Sequence, residues 1–542
     1  MVLEEDAVIK KGNSYRELLK AAGAAVAGMS TRGTLDGAAP KRGLVQGVST
    51  DFNVRDFGAT GDGKTLDTIP INKAIAAAAA IGGGTVDLPP GSYLCHSIHL
   101  KSHVRLRLTI GTIILAADPP QLTGDEGYDL PESNQPGDGY QDFGHSHCHN
   151  SLIWGEGLEN VSICGPGLIW GKGLSRGEFQ GPIAETPGVA NKAIALKNCH
   201  DVILRDFSIL HGGHLGILAT GVDNLTIDNV MIDTNRAGID MDCCRNVRVS
   251  NCTINAPWDD AICLKSSLAL GFARAAEMIT ISDCVVSGSF EEGSVLDGTF
   301  RRFPRDADID RNGRIKLGTE SNGGFKNIAI TNCVFDGCFG LAILSVDGAV
   351  IEDLNISNLT MRDTVASPIF IRLGARMRGP AGAPVGAIRR INLSNIVSSS
   401  TSSLIGSIIT GIPDHKIESL SLSNILIQHS GGGTKIDAAR TLEEKERDYP
   451  ETDMFGNTPA HGFFIRHVED MEINNCKVTS SAKDARPCFV LNDVEGADFF
   501  DIKTDPVANT PLFILDNAKD VRVGNCNSLP DLEIAEAKHR EL

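Results

Sequence analysis

From residue 160 onward the chain alternates apolar and polar positions in short runs, each broken by an Asn or Asp and followed by another run. "VILRDFSIL", "LTIDNVMID", "VRVSNCTIN", "INLSNIVSS" and "MEINNCKVT" are examples, and the Asn or Asp falls at 206, 229, 251, 283, 332, 358, 395, 424, 475 and 525. The shortest steps are 22 and 23 residues, so one unit repeats with insertions of variable length. Period-two alternation without helical spacing means that no unit can bury its apolar face alone, and each must stack on the next. A side-chain amide at every turn can bond the turn above and the turn below. The pattern predicts an all-β chain built as a right-handed parallel β-helix. A β-sandwich would need hairpin turns such as Asn-Gly, which are scarce here.

An Ala-rich stretch, roughly 67 to 81, predicts a helix between two strands that covers the N-terminal end of the stack. The domain plan is an export-signal-like segment and linker over 1–50, one β-helix over 51–530 and a C-terminal tail over 531–542. Two intervals are too long for one coil, and insertions near 285–312 and 429–460 are expected to wall a groove.

Composition narrows the partners. The net charge of −18 argues against nucleic acid and anionic membranes, and an anionic substrate would need a local basic cluster. No segment is long and apolar enough to span a membrane. Of the 14 Cys, residues 199, 252, 284, 333, 476 and 526 each follow an Asn or Asp, which suits small buried side chains in stacked turns better than disulfides. "KKGNSYRELLKAAGAAVAG" resembles a twin-arginine export signal with Tyr15 in place of the first Arg and Leu18 in place of Phe. It sets the expectation of a periplasmic or secreted protein, with a cytoplasmic location as the alternative.

Strand parity then selects candidate site residues. In "GIDM", "DAICL" and "GRIKL" the apolar Ile239, Ile262, Leu264, Ile315 and Leu317 alternate as core, so the residues between them face out. Stacking in register puts Asp240, Cys263 and Lys316 in one outward column, Asp242 and Lys265 in another, and Ala237, Asp260 and Gly313 in a third. Asp240, Asp259, Asp260, Lys265, Arg314 and Lys316 thus share one patch. The bend expected at Pro257-Trp258 would turn both Asp259 and Asp260 outward, where two close like charges should raise one carboxyl into the range of a general acid.

"GIDMDCCRNVRVSNCTINAPWDDAICLKSS" resembles glycoside hydrolase family 28, the polygalacturonase family, whose members carry NTDGID, a DD pair and Lys-Ser-Gly. The "KSS" of 265–267 and the gap from Asp240 to Asp260 resemble the exo-acting members, and the Ala-rich opening resembles that of the wider pectin-lyase-like superfamily. The likeness runs from "LIWGEGLENVSICGPGLIWG" to about residue 360. It implies an inverting hydrolase of a pectic or related plant cell-wall oligosaccharide, with Asp259 protonating the glycosidic oxygen and Asp260 helping to activate water. Three family markers are replaced: NTD by Asn235-Arg236-Ala237, the GHG histidine by Gly313, and Arg-Ile-Lys by Ala342-Ile343-Leu344. Inversion needs a second carboxylate about 6.5 to 9.5 Å from the acid, so Asp240 or, preferably, Glu320 must supply it.

Further residues are candidates for substrate contact. His214 can bond sugar hydroxyls, Arg372 and Arg376 can take a uronate carboxylate, and His461 follows the second insertion. "GHSHCHN" crowds His145, His147, Cys148 and His149, yet lacks the partners and spacing of a zinc site, so neither metal nor cofactor is expected. The alternatives are a β-helical polysaccharide lyase with Arg314 or Lys316 as base, and a glycan-binding β-helix without catalysis.

Overall fold

The computed structural model describes residues 50–120, 127–176, 186–304, 306–400 and 404–542. The export-signal-like stretch lies outside them. Thr50–Leu542 form one compact unit, a parallel β-helix. One coil runs through strands Lys192–Lys197, His200–Arg205 and Ser208–Leu210, and the next through Leu215–Thr220, Asp223–Asp228 and Met231–Asp233. Each strand pairs in parallel with its counterpart one coil on, for example Ile194↔Ile217, Val202↔Leu225 and Ile209↔Ile232. From Phe325–Asp336 onward the second and third strands of a coil merge into one longer strand.

The ten Asn and Asp positions of the repeat all adopt the left-handed conformation, with φ between 50° and 68°. A short polar side chain tolerates this region because it can bond locally. Their amides also bond along the stack: Asn229 donates to Asp206 at 2.9 Å, Asn395 to Asn358 at 3.0 Å, Asn424 to Asn395 at 2.9 Å and Asn475 to Asn424 at 2.8 Å. Inside the coils, apolar side chains from Val54 to Ala537 form one continuous core. All 14 cysteines are free, and most are buried in it or beside it.

Helix Thr68–Ala80 covers the N-terminal end with Ile71, Ala74, Ile75 and Ala78 turned inward, as the Ala-rich stretch predicts. The opposite end corrects the expectation of a tail. Residues Leu532–Glu541 form a strand antiparallel to Phe513–Gly524, so the last edge is paired and Ile534 and Ala537 are buried. The two long insertions leave the stack after Ser287 and after His429 and return at Ile315 and Phe463.

Candidate active site

The site occupies the outward face of the first strand in successive coils. Asp240 pairs with Cys263 and Asp242 with Lys265, and Cys263 pairs with Lys316 in the next coil, as parity predicts. A bulge then departs from simple stacking. Leu264 is opposite Leu317 and Ser266 opposite Ser321, so Gly318, Thr319 and Glu320 stand against Lys265 alone. The extra residues turn Glu320 back toward Lys265, where Nζ meets Oε2 at 2.7 Å.

Two buried charge clusters result. In the first, Lys265 also lies 3.6 Å from Asp240, which accepts from His145 Nε2 at 3.1 Å. Glu320 is 3.7 Å from Arg376 and 3.8 Å from Arg378, and Arg376 Nε bonds Asp347 at 3.0 Å. In the second, Asp260 sits between Arg314 Nε at 3.0 Å and Lys316 Nζ at 2.6 Å, while Arg314 reaches Glu451 of the second insertion at 2.7 Å. Asp240, Asp260 and Arg314 are at most 2% exposed. Asp240 Oδ1, His145 Nδ1 and Arg376 Nη1 are buried without a hydrogen-bond partner, so the first cluster keeps unused donors and acceptors.

The charges set the protonation states. Burial alone would raise Asp260, but Lys316 and Arg314 outweigh it and hold its carboxyl below the usual range. Burial would likewise raise Glu320, yet Lys265, His145 and Arg376 hold it well below. Lys265 and Lys316 are pushed up despite burial by Glu320 and Asp260 respectively, and His145 is raised by Asp240 against both burial and Lys265. The expectation that the close pair Asp259 and Asp260 raises one carboxyl is not met at Asp260, because its nearest charges are cations. Asp259 is partly exposed and faces Arg236 at 3.3 Å, and Arg236 in turn bonds His214 Nε2 at 2.9 Å. Burial and that guanidinium hold His214 well below its usual range.

Each missing family marker has a packing reason. Ala237 lies under the segment that carries His145, in an apolar patch with Cys148, Leu215 and Leu218. Gly313 has φ 47°, and a Cβ there would stand 2.2 Å from the Ser287 carbonyl carbon, so no histidine fits. Ala342 packs with Phe370, Ile408, Leu442 and Phe455 beneath the second insertion. The outward column is therefore covered by apolar contacts on both sides of the charged clusters. The first insertion is the third wall: Phe303 meets Trp258 edge to face at 5.8 Å, and Asn312 N–H bonds the Pro257 carbonyl at 2.9 Å.

Two predicted contacts stand apart. Arg372 is buried and donates to the carbonyls of Gly411 at 3.0 Å and Glu444 at 2.7 Å, anchoring the second insertion; burial and the neighbouring Arg466 push it down to about 10. His461 donates to the Arg486 carbonyl at 3.0 Å and lines a separate cavity of about 280 Å³ with Cys488 and Leu512. Residues that parity could not single out are His145, Arg236, Asp347 and Glu451, because loops or turns bring them in. Tyr449 also reaches the site, its hydroxyl accepting from Thr319 at 2.9 Å. Among the described residues one triad, Glu132, His149 and Glu156, brings potential metal ligands within 4.8 Å. Glu132 already accepts from the amides of Cys148 and His149 and faces Lys197 at 3.4 Å, so it serves to anchor that segment.

A family model for the right-handed β-helix region matches residues 192–369, and one for rhamnogalacturonase A/epimerase, pectate lyase-like, matches 52–109. The chain is a right-handed β-helix. It is 24% identical over 408 residues to a probable polygalacturonase of Vitis vinifera, covering 70% of the chain and 75% of that protein. A stretch of 43 residues is 63% identical to mannuronan C5-epimerase AlgE6 of Azotobacter vinelandii, which is 8% of the chain and only 5% of the epimerase. The exopolygalacturonase of Thermotoga maritima superposes with a TM-score of 0.52 at 18% identity, covering 90% of this chain and 94% of that one.

Proposed function

We propose that the protein is an exo-acting, inverting glycoside hydrolase of a pectic or related uronate-containing oligosaccharide. The observation that carries this reading is a cation-rich, carboxylate-rich patch, enclosed on a face whose neighbouring coils are covered on both sides. On a chain of net charge −18, such clustering of Lys265, Arg314, Lys316, Arg376 and Arg378 provides the local attraction that an anionic sugar needs. Covered flanks favour a chain end over the middle of a polymer.

Asp259, the accessible member of the acidic pair, donates the proton to the glycosidic oxygen, and Asp260 fixes the two cations beside it. Asp240 suits the water-activating base better than Glu320, since its Oδ1 has no partner whereas Glu320 is committed to Lys265. Arg376 and Arg378 recognise the uronate carboxylate, and His214 holds Arg236 in place. A lyase using Lys316 as base is disfavoured, because Asp260 keeps that ammonium protonated.

The test is incubation with saturated galacturonic acid oligosaccharides, with products identified by mass. Terminal monosaccharide release with no unsaturated product is expected, and Asp259→Asn should cost about 100-fold or more in kcat. Undiminished turnover in that variant would overturn the assignment, and ultraviolet-absorbing products would indicate a lyase.

A further inference from the structure

His145 rides on Phe143–Ser146, a single helical turn of the segment that covers the first-strand face. In the sequence it is one of several crowded residues in "GHSHCHN", with nothing to set it apart. Contacts along that segment fix it to the coils. Lys197 Nζ bonds the Ser146 carbonyl at 3.1 Å, Glu132 accepts from the amides of Cys148 at 2.8 Å and His149 at 3.0 Å, and Lys192 Nζ bonds Asn150 Oδ1 at 3.1 Å. The fit over the coils is close, since a Cβ at Gly144 would stand 3.1 Å from Asn191 Nδ2 and 3.3 Å from His214 Nδ1. Anchored backbone thus delivers the buried imidazole of His145 to the buried carboxylate of Asp240.

We infer that His145 is a positioning residue for Asp240, acting with Lys265 to hold one carboxylate oxygen so that the other alone receives the proton of the attacking water. The inference rests on the hydrolase reading. His145 Nε2 is 3.1 Å and Lys265 Nζ 3.6 Å from the same oxygen, Oδ2. Oδ1 is buried and, among the described residues, has no hydrogen-bond partner. Two donors on one oxygen keep the carboxylate from turning and leave the lone pairs of the other to an O–H donor. A buried acceptor without a partner is costly, so the place suits a water or a sugar hydroxyl. The charged and titratable groups facing His145 are Asp240, Lys265 and Glu320 from the coils, Asp142 from its own segment at 3.9 Å from Nδ1, and His214, whose ring meets it edge to face at 5.9 Å. Burial, Arg236 and His145 itself hold His214 well below its usual range, so that ring packs uncharged beside the imidazolium. In the reaction the water oxygen bonds the anomeric carbon as the glycosidic bond breaks. The proton of the water goes to Asp240 Oδ1, Asp259 protonates the leaving oxygen, and His145 neither gains nor loses a proton.

The deciding measurement is kcat and KM on galacturonic acid oligosaccharides from about pH 4 to about pH 9. His145→Leu removes donor and charge, and should lower kcat about 10-fold or more with KM changed less than about twofold. His145→Gln keeps an N–H donor and should recover part of kcat, while the acid limb of its kcat/KM profile moves up by about one pH unit because a cation beside the base is gone. His149→Ala removes the bond from the same segment to Glu156 without touching Asp240, and should keep the wild-type profile. An equal shift in His149→Ala overturns the inference, because the effect would then belong to the segment as a whole. Values for His145→Gln that superimpose on the wild type overturn it too, and both results leave the hydrolase reading intact. Ring-nitrogen NMR of histidine-labelled protein reads the pair without turnover: the resonance that disappears in His145→Gln should titrate at lower pH in Asp240→Asn, and an unmoved resonance refutes the pairing. If the wild-type protein cleaves none of the oligosaccharides, the hydrolase reading falls and the inference falls with it.

Discussion

At the residue scale, the site is governed by which charge finds which partner. Strand parity put Asp240, Lys265, Asp260 and Lys316 on one face, and they are there because period-two alternation follows directly from strand geometry. Parity carries no information about loops, so His145, which bonds Asp240 from a covering segment, was visible only as one of several crowded histidines. Asp240 raises His145 against burial and Lys265, so the imidazolium is favoured in the folded protein. Its contribution to stability is full below about pH 6.5 and is lost as the pH rises through the higher folded value. His145→Gln removes a group whose charge is favoured only when folded. The difference in Tm between wild type and variant should therefore be largest in acid and shrink on going to about pH 9. A difference independent of pH, read by thermal melts across that range, would mean that His145 is not charged in the folded protein.

At the element scale, the repeated Asn and Asp do two jobs at once. Each takes the left-handed turn conformation, and most bond the next amide in the stack. Asn395 has φ 55° and bonds both Asn358 and Asn424. Asn395→Ala should cost about 2 to 3 kcal/mol, about 1 for the conformation and about 0.5 to 1 for each bond. Asn395→Gly, which keeps the conformation, should recover part of that in chemical denaturation. The ladder was legible because turn chemistry is local. The bulge at Gly318–Glu320 was not, since its two extra residues show only against the neighbouring strand. It is this bulge that brings Glu320 to Lys265.

At the scale of the whole molecule, the stack must close both ends and cover the coil faces it does not leave to solvent. The N-terminal helix was readable from its composition, whereas strand Leu532–Glu541 was not, because a short, heavily charged run gains its meaning only from the edge it meets. Removal of residues 531–542 should uncover the edge of Phe513–Gly524 and the faces of Ile534's neighbours, giving concentration-dependent association by light scattering; a truncated protein that stays monodisperse would deny the strand this role. The sequence by itself determined the β-helix, the turn ladder, the capping helix and the outward column of acids and bases, because all of these follow from short-range periodicity repeated at a nearly constant step. Only the tertiary structure decided which carboxylate each cation holds and why the replaced markers at Ala237, Gly313 and Ala342 are small. Only there do the two insertions and the His145 segment close on the same face. Those outcomes depend on contacts between residues up to 137 positions apart, as between Arg314 and Glu451, and no local pattern along the chain encodes such a distance.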